Sequence, residues 1–196
     1  MMPLDHYLTA FRSAAALASE ALSKWLGRTV KVTVEQVDAM PLEEAIGLLG
    51  EQEGTICGCA MGISGSLQGI LVLLCGDEAG LALAAMLVGR EPSADDRWGE
   101  LEQSAVVETT NIIGCAYLNA MANATDATTA AMPSPPWFLR DFAPAVMESI
   151  VMAQPLSGES VFLTRTEFSI EGSPARCSLV FVPAPDHSDH PTGASP

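Results

Sequence analysis

The sequence has few basic residues. Its 196 residues include nine Lys and Arg against 24 Asp and Glu, which gives a net charge of −15. Proteins that bind nucleic-acid backbones or anionic lipids rely on clustered Lys and Arg side chains. Such a cluster does not occur in this sequence. We therefore expect neither a nucleic-acid partner nor adsorption to a lipid surface.

Long apolar runs are also absent. The longest, residues 69–75 and 80–89, are much shorter than the roughly 20 residues that span a bilayer, so we expect no membrane insertion. The first ten residues lack a basic segment followed by an apolar one, so we expect no signal peptide and a cytoplasmic location. A hydrophobic content of 48% with 17% charged residues favours a folded chain with a core.

Histidine and cysteine are scarce. The three histidines lie near the ends of the chain, and the five cysteines lie within apolar segments. Cysteines in such surroundings are typical of reduced core residues in a cytoplasmic protein. We therefore expect reduced thiols, no metal site and no cofactor of the protein's own. The cysteines are Cys57, Cys59, Cys75, Cys115 and Cys177.

The hydrophobic pattern predicts a similar order of elements twice. The first half contains a helix, a strand, a short helix and a hairpin, at residues 4–26, 29–37, 41–49 and 54–75. A helix at 78–88, with Asp77 as its N-cap, follows. The second half contains a long helix, a proline-rich extended segment, a helix and a hairpin, at residues 101–122, 132–136, 141–153 and 161–182.

This order indicates one α+β domain at residues 1–184, made of two repeats at about 4–89 and 100–184. The segment 67–75 is nearly all apolar, so we expect it to lie at the centre of a sheet. Residues 185–196 have the composition of a disordered tail.

The long helix carries three polar residues on one side. Ser104, Glu108 and Asn111 are separated by four and three residues, which stacks their side chains along one stripe of a helix. A hydroxyl, a carboxylate and a carboxamide on a largely buried helix form a compact polar site. Such a stripe is usually only the solvated face of an amphipathic helix, so the spacing alone leaves both interpretations open.

The surrounding sequence resembles a known family. The motif Ser104-x3-Glu108-x2-Asn111, followed by Tyr117-Leu118-Asn119-Ala120 and a proline-containing segment, is similar to the CheC/CheX/FliY family of chemotaxis phosphatases, and most similar to its CheC branch. The resemblance covers residues 4–184. One departure is Ser134, which stands where the family has a proline.

The resemblance implies a pseudo-twofold duplicated unit, with a mostly antiparallel sheet and two long helices packed on one side. It also implies that the protein dephosphorylates the aspartyl phosphate of a CheY-type response regulator in chemotaxis signalling. Glu108 and Asn111 would then be catalytic, and Ser104 would face the regulator. Mg²⁺ is expected on the regulator, and CheD is a further expected partner.

The first repeat departs from the family at the corresponding positions. Asp5 fits the leading position, but Thr9 and Arg12 stand where the family has Glu and Asn. Threonine supplies no carboxylate, and arginine accepts no hydrogen bond, so it cannot orient a water as an amide does. We expect this first site to be degenerate and inactive.

Two other functions fit the resemblance. With one site lost, the chain could serve as a non-catalytic adaptor that binds CheD or a response regulator. A flagellar-switch component of the FliY kind is disfavoured, because nothing in the sequence resembles the additional switch-binding domain of those proteins.

Overall fold

A computed structural model describes residues 4–41, 44, 54–65, 68–125, 131–152, 161–171 and 173–184. Its elements are α1 (Leu4–Leu26), β1 (Val30–Met40), β2 (Thr55–Gly65), β3 (Gly69–Gly76), α2 (Asp77–Leu87), α3 (Glu100–Thr125), β4 (Ala131–Pro133), β5 (Trp137–Phe142), α4 (Ala143–Met152), β6 (Val161–Ile170) and β7 (Ser173–Pro183). The predicted tail, and the predicted short helix at 41–49 apart from residues 41 and 44, lie outside the described residues. None of the described helices combines the length and apolar character that crossing a bilayer requires.

The strands of the described residues form one seven-stranded sheet in the order β1-β6-β7-β3-β2-β4, and β5 also pairs with β2. Every one of these pairings is antiparallel. Strand β3 lies between β7 and β2, which confirms that the apolar segment predicted there is central. Its side chains are buried on both faces, as a strand without polar residues requires.

The strand order agrees with a duplicated unit. Strand β1 of the first half pairs with β6 of the second, and β5 of the second half pairs with β2 of the first. Strands β3 and β7, the last strand of each half, meet at the centre of the sheet. Helix α2 has no counterpart among the described residues that follow β7, so the duplication stays a prediction.

The two faces of the sheet pack against different helices. On one face, Leu71 and Leu73 of β3 join a core with residues of α1, α2 and α3. On the other face, Val72 packs in a second core with Val146 and Ile150 of α4. The α+β class, and the packing of two long helices on one side, are thereby confirmed.

Helices α1 and α3 run antiparallel to each other. The backbone N–H groups of Val32 and Val30 donate to the hydroxyls of Ser19 and Ser23, at 2.8 and 2.9 Å, so α1 runs opposite to β1. Helix α3 runs along β2, because Thr110 lies against Cys59 and Gly114 lies against Met61. Since β1 and β2 point in the same direction, the two helices point in opposite directions.

The prediction of five reduced core cysteines is wrong for three of them. Cys75 and Cys177 form a disulfide between the neighbouring strands β3 and β7, with Cα atoms 4.6 Å apart. Cys115 is exposed on α3. Only Cys57 and Cys59 are buried free thiols, and burial raises the pKa of each to about 12.

The second half contains a strand that the sequence pattern did not predict. Residues 137–142 form β5 along β2, so the following helix starts at Ala143 and not at residue 141 as predicted. The sequence WFLRDF has two adjacent charged residues and no alternation of apolar and polar residues. It therefore lacks the pattern by which a strand is predicted, although it forms a strand at the edge of the sheet.

Candidate functional site

The start of α3 is fixed by polar contacts on several sides. Glu102 accepts a hydrogen bond from the Gly99 N–H at 3.1 Å, while the Gln103 N–H donates to the Gly99 carbonyl at 3.1 Å. The first bond is the Glu102 half of a capping box, whereas the second is an ordinary helical bond, because Gly99 has no side chain that could complete the box. Arg90 then bridges Glu102 and Asp96, which ties the first turn of α3 to the preceding loop.

Arg90 is itself anchored at the end of α2. Gly89 has a φ of +79°, and its N–H donates to the carbonyl of Met86. The Arg90 N–H donates to the carbonyl of Ala85 at 2.9 Å. These two bonds form a Schellman motif, so the predicted helix end at Gly89 is confirmed.

The N–H of Ser93, and then Arg90, hold the pKa of Asp96 below its usual range.

Asp77 does not cap α2 as predicted. The N-cap is Gly76, and no side chain caps the helix. The Asp77 carboxylate accepts hydrogen bonds from the Arg140 guanidinium at 2.7 and 2.8 Å and from the Trp98 indole N–H at 2.9 Å. Trp98 also packs against Phe138, with ring centroids 4.8 Å apart. Asp77 therefore joins α2, the loop before α3 and β5.

Ser104, Glu108 and Asn111 lie on the outer side of α3. Ser104 and Glu108 are exposed and Asn111 is half-buried, whereas the opposite side of the helix is buried. Within the part of the chain that the structure describes, Glu108 takes part in no ion pair. The stripe therefore presents a free carboxylate and an adjacent carboxamide to the surroundings.

Cys115 continues this stripe, one turn beyond Asn111. Its thiol lies 4.0 Å from Asn111 Oδ1. Partial burial, and then the charge of Glu108, raise the pKa of Cys115, so the thiol is protonated at neutral pH. The sequence analysis placed Cys115 in the core with the other apolar residues, whereas the structure places it on the outer side of α3.

The residues of the predicted degenerate site lie on α1. Thr9 and Arg12 have exposed side chains, and Asp5 belongs to the first turns of the helix. None of the described carboxylates forms an ion pair with Arg12. The structure gives these positions but does not test their function, so their inactivity stays a prediction.

The comparisons with known proteins rest on the fold. No protein-family model matches the sequence. FliY of Thermotoga maritima matches with a TM-score of 0.74 and 18% identity, over 93% of this chain and 91% of that one. A chain of the FliG–FliM complex of H. pylori matches with a TM-score of 0.62 and 14% identity, over 90% and 94%. A chain of the CheX–CheY–BeF3–Mg2+ complex of Borrelia burgdorferi matches with a TM-score of 0.53 and 16% identity, over 93% and 97%.

The chain has the CheC/CheX/FliY fold. This fold brings the proline-rich segment after α3 back to the sheet through Ser134, the position where the family has a proline. The Ser134 N–H donates to the Gly62 carbonyl at 2.8 Å, and its hydroxyl accepts from the Gly62 N–H at 2.9 Å. A proline cannot donate the first of these bonds, so the serine adds a hydrogen bond between β2 and the segment that follows β4.

The contacts of Asp77 predict a pH-dependent stability. The hydrogen bonds from Arg140, opposed by burial and assisted by Trp98, hold the pKa of Asp77 below its usual range. The stabilisation is therefore present above the pKa of the unfolded state and is lost as the pH falls through the lower pKa of the folded state. We expect Asp77→Asn to lower the free energy of unfolding by about 1 kcal/mol at pH 7, given the partly exposed pair.

Urea unfolding at pH 7 and below pH 4 would measure this difference. The matched control is Asp95→Asn, in the exposed loop before α3, which should leave the stability unchanged. A deficit of Asp77→Asn that persists in full at the lowest pH would show that the stabilisation does not depend on the charge of Asp77.

Proposed function

We propose that the chain dephosphorylates the aspartyl phosphate of a CheY-type response regulator in chemotaxis signalling, with Glu108 and Asn111 as its catalytic pair. The observation that carries the proposal is the exposed stripe on α3, where a free carboxylate lies one turn from a half-buried carboxamide. The fold supports it, because a chain of the CheX–CheY–BeF3–Mg2+ complex has the same architecture.

The chemistry requires little more than placing a water. An acyl phosphate is already activated, so a catalyst gains most by holding a water in line with the phosphorus–oxygen bond. The Asn111 carboxamide has both a donor and an acceptor, so it can hold the water and contact a phosphoryl oxygen at the same time. Its partial burial limits its side-chain motion, which favours one orientation.

Glu108 and Ser104 would orient the complex. By family resemblance, Glu108 pairs with the lysine of the regulator's active site, and Ser104 faces the same partner one turn earlier. Glu108 is exposed and forms no ion pair with any residue that the structure describes, so its carboxylate need not leave one of these residues when the regulator binds. The Mg²⁺ ion belongs to the regulator in this scheme.

The first test is the rate of phosphate loss from phosphorylated CheY-type regulators of the protein's own cell, with and without the purified chain. We expect the wild type to accelerate this loss and Glu108→Ala to remove most of the acceleration. Glu20→Ala, which changes an exposed glutamate of α1, is the matched control and should behave as wild type. A wild-type chain that accelerates phosphate loss from none of these regulators would contradict the proposal.

A non-catalytic adaptor is the second candidate. The fold is also that of a chain in the FliG–FliM complex, and the first repeat carries Thr9 and Arg12 in place of a catalytic pair. An adaptor would bind CheD or a regulator without turnover. Retained CheD binding by a Glu108→Ala/Asn111→Ala variant, together with an inactive wild type, would favour this function.

The proposed reaction places the protein in the cytoplasm with its regulator. The disulfide between Cys75 and Cys177 is unusual for a cytoplasmic protein, since cytosolic thiols are mostly kept reduced. Both cysteines are buried, whereas the stripe lies on the outer side of α3, so neither sulfur belongs to the proposed site.

A further inference from the structure

We propose that Leu101 is an apolar contact residue for the response regulator, at the start of the α3 face that carries Glu108 and Asn111. The inference rests on the proposed function, because the partner that Leu101 would contact is the regulator. In this proposal Leu101 contributes affinity for the regulator, and Glu108 and Asn111 contribute the chemistry.

Leu101 is exposed, whereas the other large apolar side chains described on α3 are buried or half-buried. It is 63% exposed, whereas Ala105 and Val106 in the next turn are buried. Its spacing of three residues from Ser104 places both on the same side of the helix. Farther along this side, Ile112 is half-buried and Cys115 is exposed. Apolar side chains therefore border the polar stripe at both ends.

Helix α1, which packs beside α3, also carries exposed apolar side chains. Leu17 and Trp25 are 42% and 43% exposed. Because α1 and α3 are antiparallel, the last turn of α1 and the first turn of α3 lie at the same end of the pair, which places Trp25 at the end that carries Leu101. Single exposed apolar residues are ordinary, but here three lie on one helix pair that also carries the free carboxylate.

Charge does not supply the affinity that this complex needs. The chain has a net charge of −15, and the regulator's phosphorylation pocket is acidic, so long-range attraction between them is weak or repulsive. Glu108 can orient the partner through one local pair, but a single exposed pair contributes little affinity. Burial of apolar area is the remaining source, and Leu101 has a larger exposed fraction than Leu17 or Trp25.

The test measures affinity and turnover separately. The full chain is titrated with regulator carrying beryllofluoride and Mg²⁺, and turnover is measured with phosphorylated regulator at saturation. We expect Leu101→Ala to raise the Kd about tenfold, equivalent to about 1.4 kcal/mol, and to leave kcat unchanged. Leu101→Met should restore the affinity. Met132→Ala, at a residue of β4 that is 64% exposed, is the matched control and should leave the Kd unchanged.

The outcomes separate this inference from the proposed function. If Leu101→Ala binds as tightly as wild type, or loses kcat at an unchanged Kd, Leu101 is not an affinity contact, while a phosphatase inactivated by Asn111→Ala would still support the function. If the wild type neither binds nor dephosphorylates a regulator, both proposals fail.

Discussion

Replacing Asn111 with alanine is expected to slow phosphate loss from the regulator roughly a hundredfold, which corresponds to about 3 kcal/mol of transition-state stabilisation. The methyl group of alanine can neither donate nor accept a hydrogen bond, so the hydrolytic water loses its fixed position. Because the carboxamide acts on the reacting water, the loss should appear in kcat, with an unchanged Kd for the regulator. Stopped-flow measurement at saturating regulator separates the two quantities.

Asn119→Ala is the matched control for this experiment. Asn119 is an exposed asparagine on the same helix, two turns beyond Asn111, and its substitution should leave kcat unchanged. Equal losses in both variants would point to a general effect on α3. An unchanged kcat in Asn111→Ala would exclude water positioning by this side chain.

The second large effect is expected from Phe11→Ala, which should lower the free energy of unfolding by about 3–5 kcal/mol. Phe11 is fully buried and meets the ring of Tyr117 edge-on, with centroids 5.1 Å apart. This contact holds α1 against α3, behind the outer stripe. Truncation leaves a cavity that the two helices cannot close completely. Urea unfolding measures the resulting loss in the free energy of unfolding.

Leu17→Ala is the control on the same helix, because its side chain is 42% exposed; it should change stability by no more than about 0.5 kcal/mol. The folded fraction of Phe11→Ala should keep a kcat close to wild type, since Glu108 and Asn111 project from the opposite side of α3. A destabilisation below about 1 kcal/mol would contradict the packing of α1 on α3.

Local patterns predicted most of the elements that the structure describes. The apolar segment before Gly76 reads as a strand buried on both faces, and β3 occupies the centre of the sheet. The end of α2 at Gly89 follows from the tolerance of glycine for positive φ. These features depend on neighbours in sequence, so a single sequence is sufficient to predict them.

Features that depend on distant neighbours were missed or misread. The sequence predicts Asp77 as an N-cap. In the structure, Arg140 and Trp98, which lie on other elements, donate hydrogen bonds to its carboxylate, so the carboxylate does not cap α2. Cys75 and Cys177 are 102 residues apart, and only the order of strands shows that they face each other. No local pattern contains that information.

The candidate site was predictable in part. The spacing of Ser104, Glu108 and Asn111 gives one stripe on any helix, and the structure places that stripe on the outer side. The spacing does not show which side of a helix faces solvent when apolar residues surround it. The exposure of Leu101 and Cys115 on the same side required the packing of α3 against α1 and β2.

The structure of the chain bound to a regulator that carries beryllofluoride and Mg²⁺ would test the site most directly. We expect the outer face of α3 to enter the regulator's pocket, with the Asn111 carboxamide within about 2.6–3.2 Å of the beryllofluoride group or of a water in line with it. Glu108 should then pair with a lysine of the regulator. A regulator bound to a different face, with Glu108 and Asn111 left in solvent, would contradict the proposed function.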